Sequence, residues 1–586
     1  MMRRTLTLAA LALLAVAPLV LPEYHVTLMN YIGLAGIVTL GLVLLTGVGG
    51  LTSFGQAAFV GLGAYTTAVL TTRYGVSPWL TLLAGLALTF IVSLCLGFIT
   101  LRLSGHYLPL GTIAWGIAIY FVFGNLDLLG RYSGIAEIPP LTAFGWSLSN
   151  DRSFYYLIWA VALLALLVMR NLLDSRSGRA IRALRSRSLM AENFGVNTAR
   201  LKIIIFVYAA LLAAMSGWLY AHFLRFVSPQ PFGLNSSIDY QFMAVIGGAT
   251  ELWGAMIGAA LLTLLKEWLK DLLPKVMEQS GNFETIVFGL LVIAMLHRTR
   301  DGLVPYFVRL IPAAPRGLQS EKTRPLPQRA QPERGELILQ LKGVSKSFGA
   351  LAAVKDLSFD MRSGEILGLI GPNGAGKSTV FDLMTGVLSA DNGEIHFCGA
   401  RIDDLTGREI ARCGLARTYQ HVHLLPSMSV LDNAAIGAYL RGREGVWSAS
   451  LRLDRAEEAR LRHEAVDQVG WVGLGGRLFD AAGTLPLGSQ RMLEIARALC
   501  ADPRLLLLDE PAAGQRYQEK QALAELLRAL RQRGVSILLV EHDMEFVMGL
   551  VDRIVVMNFG EKLAEGSPLE IRRNSAVVEA YLGSVT

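Results

Sequence analysis

The chain has 586 residues, of which 53% are hydrophobic and 17% charged, and its mean hydropathy is +0.44. This length allows about three or four domains, and the apolar composition excludes an ordinary soluble protein. The apolar excess lies before residue 300, in runs long enough to cross a bilayer. Basic loops beside these runs explain the net charge of +7, so the expected partner is membrane lipid rather than nucleic acid.

The apolar runs predict a polytopic α-helical membrane domain over residues 1–310. Residues 1–21 begin like a secretory signal, but no small-residue cleavage site follows, so we expect a retained first span. The glycine-rich stretch 47–70 is less regular and predicts a broken helix that faces protein or a cavity. Further spans are predicted at 26–48, 79–101, 107–127, 154–170, 203–224 and 284–297.

The arginine-rich loop at 171–202 predicts the orientation of these spans, because such loops stay on the cytoplasmic side. The end of the last span is placed on the same side, so an even number of crossings separates the two points. The region 239–272 must then enter and return, or cross twice, and its glycines favour a re-entrant hairpin. We therefore expect eight full spans plus this hairpin, or ten spans.

A proline-rich and charged stretch at 311–335 predicts an extended linker, because it has too few large apolar residues to build a core. From residue 336 onward, β-rich apolar runs alternate with amphipathic helical segments. The runs are ELILQLKGV, ILGLIG, RLLLLDE, VSILLVEHD and RIVVMNFG. This alternation predicts an α/β domain over 336–586 with a largely parallel sheet, and a more helical insertion between 420 and 500.

The run at 366–370 leads into a glycine-rich turn and then a helix-forming segment, which is the context of an ATP-binding P-loop. Glycines let successive backbone N–H groups point at phosphate oxygens near the helix N-terminus. Lys377 can reach the β- and γ-phosphates, and the Ser378 hydroxyl can hold Mg²⁺. The predicted phosphate-binding residues are Gly371, Pro372, Asn373, Gly374, Ala375, Gly376, Lys377, Ser378 and Thr379.

Four further motifs complete the predicted ATPase site. Asp509 and Glu510 end an apolar strand, so Asp509 is expected near Mg²⁺ and Glu510 at the attacking water. His542 ends the next strand and could contact the γ-phosphate, although a surface histidine is the simpler interpretation. Gln420 could connect the metal to a partner, although a loop glutamine often has no such role. Phe348 could stack on adenine or belong to the core.

These elements, in this order, resemble the nucleotide-binding domain of ABC transporters over nearly all of 336–586. The resemblance implies that Phe348 stacks on adenine, that Gln420 is the Q-loop residue at the metal, and that His542 is the switch histidine. It also implies an α/β P-loop NTPase fold and a signature segment that binds ATP held by a second copy. The signature residues carried over are Leu485, Gly488, Ser489 and Gln490.

Two departures from the family pattern stand out in this domain. The signature reads LPLGSQ, with Pro486 where the family has a serine that touches the γ-phosphate. After Glu510 the chain reads AAGQRYQ where something like AAGLNP is expected. In the family, this stretch is the D-loop, which lies between the two subunits. These departures predict that one of the two composite ATP sites is impaired.

Two stretches, GLARTYQHVHLL and EGSPLEIRRNSAVVEAYLG, are similar to the ATPases of branched-chain amino acid importers. The membrane half resembles the permeases of the same systems, in GGLTSFGQAAFVGLGAYTTAVL, SRSGRAIRALRSRSLMAENFGV, SGWLYAHFLRFVSPQPF and AVIGGATELWGAMIGA. The second of these permease stretches should dock on the ATPase, with residues 192–195 near the core of the contact.

The resemblance implies ATP-driven import of branched-chain or related amino acids across the cytoplasmic membrane, with the ATP-binding domain in the cytoplasm. The implied partners are a second permease, a second ATPase and an extracytoplasmic solute-binding protein. Three alternatives remain at this stage: an importer of urea, short amides or aromatic acids; an ABC exporter; and a membrane-anchored P-loop ATPase that transports nothing.

Overall fold

The structure is a computed structural model that describes residues 2–101, 107–143, 145–185, 188–277, 283–298, 302–304 and 324–582. The chain divides into two compact units. The first, here named the membrane unit, comprises Met1–Leu173 and Ala199–Gly317. The second, the P-loop unit, comprises Asp174–Thr198 and Leu318–Thr586. A short stretch from the first half of the chain therefore belongs with the C-terminal half.

Helices dominate the described part of the first 300 residues. Two of them, Arg176–Leu184 and Ser188–Asn193, lie in the segment that belongs to the P-loop unit, and a two-stranded antiparallel hairpin lies between the helices Tyr107–Asn125 and Asp151–Leu173. The strands are β1 (Leu141–Ala143) and β2 (Trp146–Leu148). The helices are α1 (Met2–Val20), α2 (Glu23–Leu42), α3 (Gln56–Tyr74), α4 (Pro78–Thr100), α5 (Tyr107–Asn125), α6 (Asp151–Leu173), α7 (Arg176–Leu184), α8 (Ser188–Asn193), α9 (Thr198–Leu224), α10 (Leu234–Gly248), α11 (Leu252–Met277) and α12 (Phe283–Arg298).

Six helical segments among the described residues are long and apolar enough to cross a bilayer. The predicted span at 284–297 forms α12, which has 16 residues and is shorter than these six. The count of eight to ten spans stays a prediction. The six segments are Glu23–Val48, Pro78–Thr100, Tyr107–Asn125, Asp151–Leu173, Thr198–Leu224 and Leu252–Leu272.

The expected broken helix is present. Helix α2 runs into a π-helical turn, Val43–Val48, and the chain is then non-helical until α3 begins at Gln56. Gly47 shows why small residues stand here, since a Cβ at this position would lie 1.5 Å from the carbonyl oxygen of Ala249. The region 239–272 forms the helix pair α10 and α11, and its path as a re-entrant hairpin or as two crossings stays a prediction. Their backbones touch where a Cβ on Gly247 would lie 1.8 Å from the Gly254 carbonyl oxygen.

The P-loop unit contains two sheets in its described part. Their strands are β3 (Leu337–Phe348), β4 (Leu351–Arg362), β5 (Ile366–Ile370), β6 (Asn392–Phe397), β7 (Ala400–Arg401), β8 (Leu415–Arg417), β9 (Leu505–Asp509), β10 (Ser536–Val540), β11 (Arg553–Asn558) and β12 (Glu561–Gly566). One sheet has six strands in the order β12-β11-β5-β10-β9-β8, in which β12 alone is antiparallel to its neighbour. The other is antiparallel, in the order β4-β3-β6-β7.

The prediction of a largely parallel sheet holds for four of the five apolar runs and is wrong for ELILQLKGV. That run forms β3 of the antiparallel sheet, because only two residues separate it from β4 and so short a connection joins antiparallel strands. The helical insertion between 420 and 500 is confirmed. The helices of this unit are α13 (Lys377–Met384), α14 (Gly407–Cys413), α15 (Val430–Gly437), α16 (Val446–Ser450), α17 (Arg455–Trp471), α18 (Leu487–Leu499), α19 (Tyr517–Gln532), α20 (Met544–Met548), α21 (Pro568–Arg573) and α22 (Ser575–Leu582).

The predicted linker at 311–335 is described only from residue 324 onward, and residues 311–323 lie outside the described part. The described end is packed against the P-loop unit. Leu326 is buried, and the backbone N–H of Arg329 donates to the Asp502 carboxylate at 2.5 Å. This end of the stretch is therefore held by the unit that follows it.

Candidate functional site

The P-loop connects β5 to α13, and all five residues of β5 are buried. A Cβ on Gly371 would lie 2.2 Å from the Met557 carbonyl oxygen. Gly376 has φ +98, and a Cβ there would lie 2.3 Å from the Ala353 carbonyl oxygen. Only glycine fits these two positions, because the loop is pressed against neighbouring backbone. Gly374 has φ +83 and faces open space, which leaves room for a ligand over the loop.

Lys377 is buried at the start of α13, and its ammonium group donates to the carbonyl oxygens of Gly371 at 2.8 Å and Pro372 at 2.9 Å. Burial lowers the pKa of Lys377, and the negative charges of Glu510 and Asp509 oppose that shift. A buried cation beside open space and a helix N-terminus fits the phosphate chain of ATP. Ser378, the next residue, is exposed.

Glu510 lies at the centre of a cluster that joins three separate motifs. Its carboxylate accepts a hydrogen bond from the Gln420 side-chain amide at 3.1 Å and lies 2.7 Å from Nε2 of His542. Its backbone carbonyl accepts from Arg491 at 2.6 Å, and its φ is +47. The three residues predicted to be catalytic are thus brought together, with both carboxylate oxygens of Glu510 engaged.

Asp509 is buried beside a cation that the sequence analysis did not identify. Arg417 lies 3.4 Å from the Asp509 carboxylate and 2.5 Å from that of Asp382. Burial raises the pKa of Asp509, and the charge of Arg417 acts against that rise. The available signal was an arginine inside β8, a fully buried strand, because a buried guanidinium requires carboxylate partners.

Glu541 is a second residue that sequence reasoning missed. It is buried, and its carboxylate accepts from the backbone N–H of Ala512 at 2.5 Å and from that of His542 at 3.1 Å. Burial raises the pKa of Glu541, and these backbone hydrogen bonds act in the opposite direction. Glu541 therefore ties the segment after Glu510 to the start of the loop that carries His542.

Phe348 and the signature residues lie outside this cluster of contacts. The Phe348 side chain is 47% exposed at the end of β3, so the alternative of a core aromatic is excluded. In the signature, Pro486 occupies the N-cap of α18 and makes no side-chain cap hydrogen bond. Gly488 and Ser489 are half-buried in the first turn, and the Gln490 amide donates to the Leu485 carbonyl at 2.8 Å.

The segment Asp174–Thr198 is bound to the rest of the P-loop unit by two arginines. Arg176 donates to the carbonyl oxygens of Tyr439 at 2.5 Å and Gly442 at 2.7 Å. Arg179 is 2% exposed and forms a two-pronged ion pair with Glu458 on α17. Positive-inside topology alone would leave these arginines in solvent, so the contacts show that they also bind protein.

The end of the same segment reaches the neighbourhood of Gln420. The Asn193 amide donates to the hydroxyl of Tyr419, and the ring of Phe194 lies 5.2 Å from the guanidinium carbon of Arg497. Gly195 has φ +86, and a Cβ there would meet the Leu440 side chain at 2.2 Å. The prediction that 192–195 lies at the core of this contact is confirmed.

Both halves of the chain match known families. Residues 24–296 match the family described as branched-chain amino acid transport system / permease component. Residues 354–513 match the ABC transporter family, and residues 561–585 match the family described as branched-chain amino acid ATP-binding cassette transporter.

Individual relatives cover the C-terminal part of the chain. The high-affinity branched-chain amino acid transport ATP-binding protein LivG of Salmonella typhimurium is 43% identical over 251 residues, which is 42% of this chain and 98% of that protein. LivG of Escherichia coli K12 is 41% identical with the same coverage. A solved nucleotide-free ATP-binding cassette from an ABC transporter is 29% identical, covers 42% of this chain and 99% of that one, and has a TM-score of 0.38.

The ATP-binding cassette makes this protein an ATPase. The permease half makes it a multi-pass protein of the inner membrane, with the ATPase in the cytoplasm. LivG corresponds to 42% of this chain, whereas the whole chain carries both a permease and an ATP-binding cassette on a single polypeptide. The chain therefore belongs to the branched-chain amino acid family of ABC transporters, as a permease fused to an ATP-binding cassette.

Proposed function

We propose that this protein imports branched-chain amino acids, or closely related amino acids, at the expense of ATP. The proposal is supported by the family of the permease half together with the function named for LivG, to which the cassette is 43% identical. The same matches favour amino acids over urea, short amides or aromatic acids, and they disfavour an exporter or an ATPase without transport. Uptake requires an extracytoplasmic binding protein that delivers the solute.

The residues of the P-loop unit fit ATP and Mg²⁺. Residues 371–379 would hold the phosphates, with Lys377 neutralising their charge and the exposed Phe348 ring stacking on adenine. Ser378, Asp509 and Gln420 offer a hydroxyl, a carboxylate and an amide oxygen, which are the hard oxygen ligands that Mg²⁺ prefers. The Gln420 amide nitrogen is bonded to Glu510, so its oxygen is the atom available to a metal.

Glu510 is the proposed general base. Its carboxylate would accept a proton from the attacking water, whose oxygen then bonds to the γ-phosphorus as ADP leaves. Gln420 and His542 hold the two carboxylate oxygens and so orient the base before the water arrives. Arg491 binds the Glu510 carbonyl and Glu541 binds the Ala512 N–H, so both fix the backbone at and just after Glu510, which makes them positioning residues.

A second cassette is needed to complete each ATP site. Gly488, Ser489 and Gln490 would meet the ATP held by the partner cassette, and Leu485 supports them through the Gln490 amide. If the partner is a second copy of this chain, both sites carry Pro486 in place of a serine. If the partner is a paralogous cassette, one site carries it. A second permease is needed in either assembly.

The segment Asp174–Thr198 is proposed to transmit ATP-driven movement to the permease. It is bound to α17 through Arg179, and its Asn193 contacts Tyr419, which directly precedes Gln420. A movement of Gln420 on ATP binding would therefore act on the residue that holds this segment.

The test compares uptake of radiolabelled L-leucine by cells of the native organism that lack the gene or carry the wild type, Glu510→Gln or Glu525→Gln. Glu525 is an exposed acid on α19 and serves as the matched control. We expect wild type and control to restore uptake, whereas Glu510→Gln abolishes it. The purified Glu510→Gln chain should still bind ATP and hydrolyse it about 10²- to 10⁴-fold more slowly.

Wild-type uptake no higher than in the deletion strain would contradict the amino acid assignment. Hydrolysis by Glu510→Gln within twofold of the Glu525→Gln control would contradict the role of Glu510, and would do so whatever the solute is.

A further inference from the structure

The break between α2 and α3 lies inside the helix bundle of the membrane unit. The backbone N–H of Phe54 donates to the Thr112 hydroxyl at 3.0 Å, and a Cβ on Gly49 would meet the Ile205 side chain at 2.5 Å. Thr112 and Ile205 follow the starts of α5 and α9 by five and seven residues, which is about 8 and 10 Å along each helix. The non-helical residues 49–55 are thus within the bundle, where irregular backbone is tolerated only against protein or a water-filled cavity.

The backbone at this break is satisfied by side chains of other helices. Thr112 of α5 accepts from Phe54, and Ser237 of α10 accepts from the backbone N–H of Ala57 at 3.1 Å. Ser53, Thr112 and Ser237 are all buried. The start of α3 is therefore a polar centre inside the helix bundle.

Two buried polar groups at this centre have no hydrogen-bonding partner among the described residues. Gln56, the first residue of α3, is 1% exposed, and both its amide oxygen and its amide nitrogen are unpaired. The indole nitrogen of Trp115 is likewise buried and unpaired. The Trp115 ring lies against the break, where a Cβ on Gly55 would meet it at 2.4 Å. An unpaired polar group in a bundle core is destabilising. Unlike the isolated Tyr65 hydroxyl, the Gln56 amide leaves both a donor and an acceptor unpaired beside a break in the helix, which favours a ligand that binds there.

The groups at this centre match an aliphatic α-amino acid. The N-terminus of α3 carries partial positive charge, and the Gln56 and Trp115 N–H groups are donors, which together suit a carboxylate. The Gln56 amide oxygen is an acceptor for an ammonium group. Beside them the rings of Phe59 and Phe206 lie 5.0 and 6.4 Å from that of Trp115, which provides an apolar wall for an aliphatic side chain.

We propose that the start of α3, with Gln56 and Trp115, is a solute site of the permease that takes the α-carboxylate and α-ammonium groups of an aliphatic amino acid. This inference rests on the proposed import of amino acids and assigns a place in the permease where the solute is held during passage.

The test replaces each unpaired group by an apolar group of similar shape, as Gln56→Leu and Trp115→Phe in the full chain. Tyr65→Phe is the matched control, because the Tyr65 hydroxyl is also buried and unpaired among the described residues. Tyr65 lies nine residues farther along α3, which is about 14 Å away. Gln56→Leu and Tyr65→Phe each remove an unsatisfied buried polar group at similar volume, so neither should lower the midpoint of thermal unfolding of the purified protein. Trp115→Phe also shortens a ring that packs on Phe59 and Phe206, so its midpoint should fall slightly.

We expect leucine uptake by the native organism's cells to fall about tenfold with Gln56→Leu and with Trp115→Phe, because each loses a hydrogen bond to a charged solute group. Uptake with Tyr65→Phe should equal that of the wild type, and ATP hydrolysis by each purified chain should be unchanged. Loss of uptake without loss of stability is a result that a purely structural glutamine cannot produce.

Two results would overturn the proposal. One is wild-type uptake by Gln56→Leu. The other is a loss of uptake by Gln56→Leu accompanied by a lower unfolding midpoint, which would make the amide a structural group. Absence of leucine uptake by the wild type would instead count against the proposed function, so the two failures can be told apart.

Discussion

Removing either member of the buried Arg179–Glu458 ion pair should weaken the attachment of the segment 174–198 to the rest of the P-loop unit, and the two substitutions should differ in the size of their effect. Arg179 is 2% exposed and Glu458 is 14% exposed. Removing one partner of a buried pair costs about 3 to 5 kcal/mol, because the remaining charge is left uncompensated. In Arg179→Met, Glu458 keeps a second cation, since Arg462 lies 2.7 Å from it. We therefore expect Arg179→Met to lower the free energy of opening the segment by about 3 kcal/mol, at the low end of the range.

Glu458→Leu should cost more, because Arg179 is the more deeply buried partner and then keeps only the longer-range charges of Asp432 and Asp454, without a hydrogen-bonded carboxylate. The expected decrease in the free energy of opening the segment is about 4 to 5 kcal/mol. Hydrogen exchange of the α7 amides in the full chain in lipid discs measures this energy locally, as the free energy of opening the segment. At 1.4 kcal/mol per factor of ten, protection should fall about 100-fold in Arg179→Met and about 1,000-fold or more in Glu458→Leu.

The double variant Arg179→Met/Glu458→Leu completes the cycle. In this variant an apolar pair of similar volume replaces both charges. The decrease in its free energy of opening should therefore be smaller than the sum of the two single decreases, by about 2 kcal/mol or more. Additive losses would show that the two side chains do not stabilise each other. A larger effect of Arg179→Met than of Glu458→Leu would refute the reasoning from burial and from Arg462.

The stability contributed by the Arg179–Glu458 pair should also depend on pH. Burial would raise the pKa of Glu458, but the charge and hydrogen bond of Arg179 outweigh it, so the pKa lies below its ordinary value. Its stabilising contribution is then complete above about pH 4.3, the ordinary value, and is lost as the pH falls through the lower folded value. The difference in α7 protection between wild type and Glu458→Gln should be constant from pH 5 to 8 and shrink in acid. A difference that instead grows in acid would contradict this assignment. A further prediction concerns Pro486→Ser. Pro486 has φ −57 and ψ 153 at the N-cap of α18, a conformation in which a serine hydroxyl can cap the helix and add about 1 kcal/mol. ATP hydrolysis should rise as well, since the serine can touch the γ-phosphate held by the partner cassette; unchanged hydrolysis would show that the proline does not impair the site.

Local patterns identified the ATP-binding elements because each of them is built from neighbouring residues. The P-loop is a strand, a turn and a helix within about 20 residues, and the steric limits at Gly371 and Gly376 are visible as glycines in the sequence. Asp509 and Glu510 were found for the same reason, since a buried strand that ends in two acids is a local signal. The broken helix before Gln56 was likewise indicated by glycine content.

Patterns of the same kind misplaced β3 and missed two buried charges. Apolar periodicity indicates that a segment is a strand but does not determine which strand pairs with it. For this reason the pattern wrongly places β3 in the parallel sheet. Arg417 and Glu541 were missed because a buried charge acquires its role from its neighbours. Those neighbours, Asp382 and Asp509 for Arg417 and the Ala512 backbone for Glu541, lie 29 to 92 residues away along the chain.

The sequence by itself determined the class of the protein, the location of the ATP-binding elements and the chemical types of their side chains, because those depend on local sterics and short-range pattern. Only the tertiary structure decided which of these groups meet. Gln420 and His542 reach Glu510 across 90 and 32 residues, and Arg179 reaches Glu458 across 279. Contacts at such separations follow from the packing of whole elements, and no local pattern in the chain specifies which elements pack together.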